Sequence, residues 1–146
     1  MLVPSKKIFY ALEAVLYIAY NGKEQAVAGG ELADAQKLPP RYLEPMLQKL
    51  VRAGVLRGVR GPQGGYMLAR ERRRITLADI SAALVDSKDL PEGATALGKN
   101  VLRPNAKRLM EQWQSQLANL NLYQLCDDAV KAGIVPTHAP THDFII

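Results

Sequence analysis

Cysteine and histidine are scarce in this sequence, and their scarcity excludes several kinds of site. The 146 residues include one cysteine, Cys126, and two histidines. A single thiol cannot form a disulfide within the chain and is typical of a reducing compartment, so we expect a cytoplasmic protein. No Ser-His-Asp, Cys-His or paired-carboxylate arrangement can be assembled from these residues, and we therefore expect no enzymatic activity.

The two histidines do not form a metal-binding pattern. His138 and His142 are four residues apart, but Pro140 lies between them and argues against a shared helix face. Protein metal sites usually gather three or four ligands. The sequence therefore predicts no metal site and no cofactor.

Long hydrophobic runs are also missing. The best candidate, IFYALEAVLYIAY near the N-terminus, is interrupted by Glu13. It is too short to cross a bilayer, and no small-residue cleavage pattern follows it. We interpret this run as a buried helix that Ser5 caps, and we expect no association with a membrane.

Positive charge, by contrast, is concentrated in one part of the chain. Nine basic residues and only two acids lie between Arg41 and Arg74, although the whole chain has a net charge of +5. A basic cluster of this kind is typical of a protein that binds a polyanion.

The segment that carries this charge also has the pattern of a helix-turn-helix. GGELADAQ predicts a short helix with Leu32 and Ala33 facing inward, and LPPRYLEPMLQKLVRAG predicts a second helix. Two short helices joined by a tight turn describe this motif. The second helix has an apolar stripe of Leu43, Leu47 and Leu50, and its opposite face carries Arg41, Glu44, Pro45, Gln48 and Arg52.

A glycine-rich loop, GVRGPQGGYMLAR, follows the second helix and could bind a nucleotide or a nucleic acid. It contains neither GxxxxGK[ST] nor GxGxxG between a strand and a helix, which are the nucleotide-binding patterns. Strand-like runs flank RGPQGG, so the loop is better explained as the tip of a hairpin. Glycines there let the backbone approach a sugar-phosphate strand, and Arg60 suits a narrow minor groove.

The stretch ELADAQKLPPRYLEPMLQKLVRAGVLRGVRGPQGGYMLAR, followed by ITLADISAAL, resembles the IscR/NsrR-type winged-helix transcription regulators, the Rrf-two family. The resemblance is strong over roughly residues 6–86 and weaker through LNLYQLCDDAV. It implies a homodimer that binds double-stranded DNA through recognition helices at residues 40–53 and through wings at Arg60 and Gly61. The predicted DNA-binding residues are Arg41, Tyr42, Glu44, Gln48, Arg52, Arg60, Gly61, Arg72 and Arg73.

The chain departs from the family pattern at two places. Pro45 stands where the family often has a polar residue that reads bases, so the operator sequence cannot be transferred and the helix could bend there. The loop DSKDLPEGATALGKNVLRP has none of the cysteines that hold an iron–sulfur cluster in many family members. We therefore expect no cluster, and we expect Cys126 to be a packed residue rather than a redox switch.

The second half of the chain predicts a dimerisation helix. Pro104 suits the start of a helix, and Leu109, Trp113, Leu117 and Leu120 recur within it at near-heptad spacing. The stripe could also pack on the core of its own chain. The winged-helix part, however, has enough apolar residues to close itself, and a long helix after it would expose Trp113 unless a second chain covered it. We expect a DNA-binding domain at residues 1–86, a linker loop at 87–103, dimerisation helices at 104–132 and a tail at 133–146.

These patterns predict a mainly α-helical protein with a small β-hairpin, in which a winged helix-turn-helix domain is joined to a long dimerisation helix. The expected function is sequence-specific regulation of transcription by a DNA-binding homodimer. The alternative is a regulator that keeps this fold but works mainly through a bound protein partner.

Overall fold

The computed structural model describes residues 5–22 and 24–137, and the side chain of Ser87 is outside this description. Over these residues the chain is mainly helical with one antiparallel hairpin, which confirms the predicted fold class. The helices are α1 Lys6–Tyr17, α2 Gly29–Gln36, α3 Pro40–Arg52, α4 Leu77–Leu84, α5 Arg103–Leu117 and α6 Leu122–Lys131. The strands are β1 Leu56–Val59 and β2 Gly65–Leu68.

Helix α1 lies in the centre of the core. The hydroxyl of Ser5 accepts a hydrogen bond from the backbone N–H of Ile8 at 3.3 Å, so the predicted N-terminal cap is confirmed. Ala11, Ala14 and Val15 are completely buried. The helix does not stop at its last α-helical residue but continues into a π-helical turn, Ile18–Gly22, that is buried throughout.

Helices α2 and α3 form the helix-turn-helix. Lys37 ends α2 in the left-handed conformation (φ 55°), and Pro40 occupies the first turn of α3, where its missing N–H costs nothing. Leu43, Met46, Leu47 and Leu50 are the buried residues of α3. The predicted division of α3 into an apolar and a polar face is therefore confirmed, and the helix runs without interruption through Pro45.

The hairpin is held by a third segment that no sequence pattern predicted. Strands β1 and β2 pair from Leu56 with Leu68 to Val59 with Gly65. Val27, just before α2, pairs with Tyr66 on the other edge of β2 and exchanges two backbone hydrogen bonds of 2.9 Å with it. This pairing ties the hairpin to the start of the helix-turn-helix.

Helix α4 begins with the predicted cap at Thr76. The Thr76 hydroxyl accepts from the backbone N–H of Asp79, and the Asp79 carboxylate accepts from the backbone N–H of Thr76, so the two residues form a capping box. This cap fixes the point at which the chain leaves the hairpin and enters α4.

Helix α6 packs back onto the winged-helix part. The backbone N–H of Leu122 donates to the carbonyl of Ile75 at 3.0 Å, and that of Leu77 donates to the carbonyl of Leu120 at 2.9 Å. Leu122 and Cys126 belong to the same hydrophobic core as α1. The core of the winged helix is therefore completed by residues of α6.

Helix α5 begins earlier than the sequence predicted. A π-helical turn, Gly98–Leu102, leads directly into Arg103, so Pro104 lies inside the first turn of α5 rather than opening a new helix. The Arg103 side chain donates to the carbonyl of Pro91 at 3.1 Å and lies 3.6 Å from the carboxylate of Glu92. Part of the predicted linker loop is thus helical and is fastened to α5.

Candidate nucleic-acid interface

The exposed face of α3 brings together most of the predicted base-contacting residues. Arg41, Glu44, Gln48 and Arg52 are all exposed on it. Among the described residues none of the three charged members takes part in an ion pair, so their charged groups are available to a ligand. Tyr42 is 42% exposed, and its ring meets that of Tyr10 on α1 edge-to-face at 6.1 Å.

The tip of the hairpin carries the predicted wing residues. Arg60 and Gly61 are both exposed there. Gly61 has a φ of +106°, which a residue with a side chain rarely adopts, and its carbonyl accepts from the N–H of Gly64 at 2.9 Å. The turn therefore presents Arg60 at the end of a short, closed hairpin.

Tyr66 joins the hairpin to α3, a role that no sequence pattern indicated. Its hydroxyl accepts a hydrogen bond from Nε2 of Gln48 at 3.4 Å, while its backbone pairs with Val27. Its ring also lies beside Gly29 at the start of α2. Tyr66 is part of the wing and thus contacts both helices of the helix-turn-helix. Its contact on α3 is the side chain of Gln48, a candidate base reader.

Arg72 and Arg73 were predicted to contact DNA, but the structure places them at the base of the hairpin, against α6. The guanidinium carbon of Arg73 lies 4.2 Å from the ring centre of Tyr123, a cation–π contact. Arg72 lines a cavity with Cys126. Both arginines lie on the short 3₁₀ turn Arg72–Arg74 beyond the end of β2, whereas Arg60 lies at the opposite end of the hairpin. This position separates them from the hairpin tip and from the exposed face of α3, so we place them outside the proposed DNA surface.

The predicted dimerisation residues divide into two groups. Leu109, Trp113 and Leu120 are exposed by 46%, 38% and 41%. Leu117 is only 5% exposed and belongs to the core of its own chain, so it is removed from the predicted dimer surface. Leu117 fits the alternative in which the stripe packs on its own core, and the other three do not.

Cys126 lies against the core, as the sequence predicted. It is 3% exposed, and burial raises the pKa of its thiol above the ordinary value, although the positive charge of Arg72 acts in the opposite direction. A thiol in this environment is mostly protonated at neutral pH and is a poor nucleophile.

Within residues 5–22 and 24–137, no helix is both long enough and apolar enough to span a bilayer. This result agrees with the absence of a long hydrophobic run in the sequence.

Comparison with known proteins gives a consistent answer. The family model Rrf2, described as an iron-dependent transcriptional regulator, matches residues 4–128. The chain belongs to the Rrf2 family. The relatives that the chain matches in this family are named as transcriptional regulators.

Individual Rrf2 relatives agree with this assignment. The HTH-type transcriptional regulator IscR of Xenorhabdus nematophila is 30% identical over 121 residues, which cover 80% of this chain and 74% of that protein. A Neisseria meningitidis protein named as an HTH-type transcriptional regulator is 40% identical over 80 residues, or 55% of this chain. This match spans 54% of the Neisseria protein, so the chain spans about half the length of the first curated relatives it matches.

Solved structures of the Rrf2 type share the whole fold. T. potens IscR superposes with a TM-score of 0.71 at 28% identity, covering 97% of this chain and 96% of the other. CymR, the global cysteine regulator of B. subtilis, superposes with a TM-score of 0.67 at 26% identity, covering 87% of this chain and 98% of the other. The winged-helix fold of this chain is thereby confirmed.

The iron implied by the family description does not fit the residues of this chain. Between residues 86 and 103 the possible ligands are Asp86, Asp89 and Glu92, without a cysteine or histidine. Among the described residues no three His, Cys, Asp or Glu side chains gather as a metal site would require. Cys126 stands alone in the core, and His138 and His142 lie outside the described residues.

Proposed function

We propose that this member of the Rrf2 family is a sequence-specific regulator that binds double-stranded DNA as a homodimer and works without an iron–sulfur cluster. The DNA-contacting residues are then Arg41, Tyr42, Glu44, Gln48 and Arg52 on α3, together with Arg60 and Gly61 at the wing.

One observation carries this proposal: the polar face of α3 is exposed and, among the described residues, free of ion pairs, and the hairpin that bears Arg60 is attached beside it through Tyr66. A helix of this kind fits the major groove, where glutamate accepts from cytosine N4 and glutamine pairs with adenine. The arginine at the wing suits the neighbouring minor groove. Helix and wing would therefore contact two adjacent grooves of one half-site.

The apolar surface of α5 supports a homodimer. Leu109 and Trp113 on α5 are exposed by 46% and 38%, and Leu102, immediately before the helix, is exposed by 65%. At 100° per residue Leu109 and Trp113 lie about 40° apart around the helix, beside the buried stripe that holds Ala106 and Leu117. An exposed apolar row of this kind is typical of a surface that a second copy covers. Two recognition helices would then lie about 34–36 Å apart on a pseudo-palindromic site.

The domain organisation follows from this arrangement. Residues 1–86 form the DNA-binding part, 87–103 the connection and α5 the dimerisation element. We assign α6 to the winged helix rather than to the dimer, because Leu122 and Cys126 pack in the core with α1. The residues after 132 form the tail.

The absence of cluster ligands between α4 and α5 supports the last part of the proposal. A regulator without cysteines in this segment cannot sense a cluster there, so its signal has to enter by another route. Cys126 has no second thiol with which to form a disulfide inside the chain.

The proposal is tested by selecting bound fragments from random duplex DNA with the purified protein and measuring the affinity for the selected site and for random duplex at several salt concentrations. The expected result is a two-fold symmetric site bound at least 10³-fold more tightly than random duplex, with both affinities falling as salt rises. If no duplex is preferred, the proposal fails, and a regulator that acts through a bound protein partner takes its place.

A further inference from the structure

Arg72 and Arg73 face two adjoining cavities on the side of the molecule that carries α6. The inner cavity has a volume of about 190 Å³ and is lined in part by Tyr20, Arg72, Tyr123 and Cys126. The outer one is an open groove of about 600 Å³ lined by Leu68, Arg70, Glu71, Arg72, Arg73 and Tyr123. Arg72 and Tyr123 belong to both, so the two cavities form one continuous depression.

The inner cavity has the size and the walls of a site for one ring. Its lining includes two tyrosine rings together with Val130 and Pro136. A cavity of about 150 Å³ with apolar walls is large enough for benzene. The hydroxyl of Tyr20 already donates to the carbonyl of Ile134, so the ring of Tyr20 is held in place.

The outer groove supplies positive charge. Arg72 forms no ion pair among the described residues, and Arg73 is held over the ring of Tyr123 instead of by a carboxylate. Two acids offset this charge only in part. Glu71 is exposed at the edge of the groove, and Asp127, which lines the inner cavity, is paired with Lys131 at 3.0 Å.

We propose that these two cavities are one binding site for a small anion that carries a single planar ring, a carboxylate or a phosphate ester. The ring lies between Tyr20 and Tyr123, and the anionic group binds the guanidinium of Arg72, with Arg73 beside it. Arginine suits this role because its planar donors match the oxygens of carboxylates and phosphates.

The walls of the site belong to segments that hold the hairpin. Tyr20 lies on the π-helical turn Ile18–Gly22, and such turns are frequent at functional sites. Leu68 and Arg70 lie at the end of β2 and just beyond it, and Arg70 reaches Asp79 of the α4 cap at 3.7 Å. A ligand bound here is therefore placed to influence the wing, so the site is suited to an effector. The effector role rests on the proposed DNA binding, but the binding of the ligand does not.

The single cysteine gives a direct measurement of occupancy. Cys126 lines the inner cavity, so a bound ring shields its thiol from a thiol reagent such as 5,5′-dithiobis(2-nitrobenzoate). The probes are benzoate and phenyl phosphate at millimolar concentration, with benzamide as a ring without charge and acetate as an anion without a ring. We expect benzoate or phenyl phosphate to slow the reaction of Cys126 with the reagent at least fivefold, and benzamide and acetate to have little effect. This result supports the site, and the stronger of the two ring anions identifies the preferred anionic group. Equal effects of benzoate and benzamide, or no effect of either ring anion, would overturn it.

Matched arginine variants locate the anionic group. Protection is expressed as the ratio of the Cys126 reaction rates without and with ligand, because replacing Arg72 also alters the reactivity of the thiol itself. Arg72→Gln should reduce this ratio for the ring anion at least fivefold. Arg74→Gln lies on the same 3₁₀ turn but lines neither cavity, and it should leave the ratio unchanged. Loss of protection in both variants, or in neither, contradicts the assignment of Arg72.

A separate measurement of DNA affinity tests the effector role. DNA affinity is measured with the preferred ring anion and with acetate at the same ionic strength, and a change of at least threefold specific to the ring anion is expected. Protection of Cys126 without such a change overturns the effector role while leaving the binding site and the DNA proposal intact. A protein that binds no duplex under any condition contradicts the proposed function instead.

Discussion

Val27 and Tyr66 exchange two backbone hydrogen bonds of 2.9 Å, although 39 positions separate them in the chain. This pairing extends the two-stranded hairpin by a third strand-like segment and fixes the wing to the residues that enter α2. This short contact between distant parts of the sequence therefore helps to set the orientation of the wing relative to the recognition helix.

Gly65 makes this contact possible, and its replacement provides the first prediction. Gly65 has a φ of +152°, and a Cβ there would lie 2.2 Å from the carbonyl oxygen of Val27. Gly65→Ala should break the pairing and lower the free energy of unfolding by about 2 kcal/mol, since two hydrogen bonds of about 1 kcal/mol each are lost. Urea denaturation measures the loss. Gly58→Ala is the control, because a Cβ there meets no atom within 4 Å; equal losses in both variants would contradict the explanation.

The second prediction separates residues that read bases from one that contacts the backbone. Glu44→Ala and Gln48→Ala should change the preferred operator sequence, because their side chains lie on the exposed face of α3. Arg60→Ala should weaken binding to all duplexes and reduce the slope of log affinity against log salt by about 1. Arg73→Ala is the control with an equal change of charge, and it should leave the slope unchanged because Arg73 lies over Tyr123. A reduced slope in Arg73→Ala would return that residue to the DNA surface.

The third prediction concerns the dimer. Sedimentation at micromolar concentration should give twice the chain mass of 16.1 kDa. Leu109→Glu should shift the protein towards the monomer, because a charge would enter the apolar surface of α5. Val130→Glu, at a position of α6 that is 63% exposed, should not have this effect. A monomeric wild type at this concentration would end the dimer proposal and remove the reason to expect a symmetric operator.

The fourth prediction follows from the environment of Cys126. Burial raises the pKa of the thiol above 9.0, so the folded state holds its proton more firmly than the unfolded state does. This contribution to stability is complete below the unfolded pKa and is lost as the pH rises through the folded pKa. The free energy of unfolding of the wild type should therefore fall more steeply above pH 9 than that of Cys126→Ala. Parallel pH profiles of the two proteins would show that the thiol does not contribute.

The fifth prediction tests the absence of a cluster. Protein purified without oxygen should be colourless and should contain no stoichiometric iron or acid-labile sulfide, because the segment between α4 and α5 has no cysteine. Stoichiometric iron and sulfide would show that ligands are gathered in some other way, with Cys126 or the two histidines among them.

The elements that the sequence predicted correctly are those whose signals are local. The two faces of α3, the hairpin around Gly61 and the Thr76–Asp79 cap each depend on residues a few positions apart. Helical and strand periodicity and capping patterns report such short-range relationships directly.

The contacts that the sequence did not predict join distant segments. Arg72 and Arg73 continue a basic run in the sequence, but α6 packs against the turn that carries them, and charge spacing contains no information about that contact. Leu117 fitted an apolar stripe, and only the packing of the folded chain, with α5 against α4, shows that it is buried. The pairing of Val27 with Tyr66 was missed for the same reason.

The return of α6 also has a consequence for the order in which the protein is made. Helix α1 emerges from the ribosome before the other helices. The core around α1, however, is completed by Leu122 and Cys126, which lie near the end of the described residues. A nascent chain that ends after α4 exposes the apolar surface that these residues cover, and domains fold as units during synthesis. The winged helix therefore reaches its final packing only after residues 122–126 have been translated, so a fragment ending at residue 86 is a poor substitute for the longer chain.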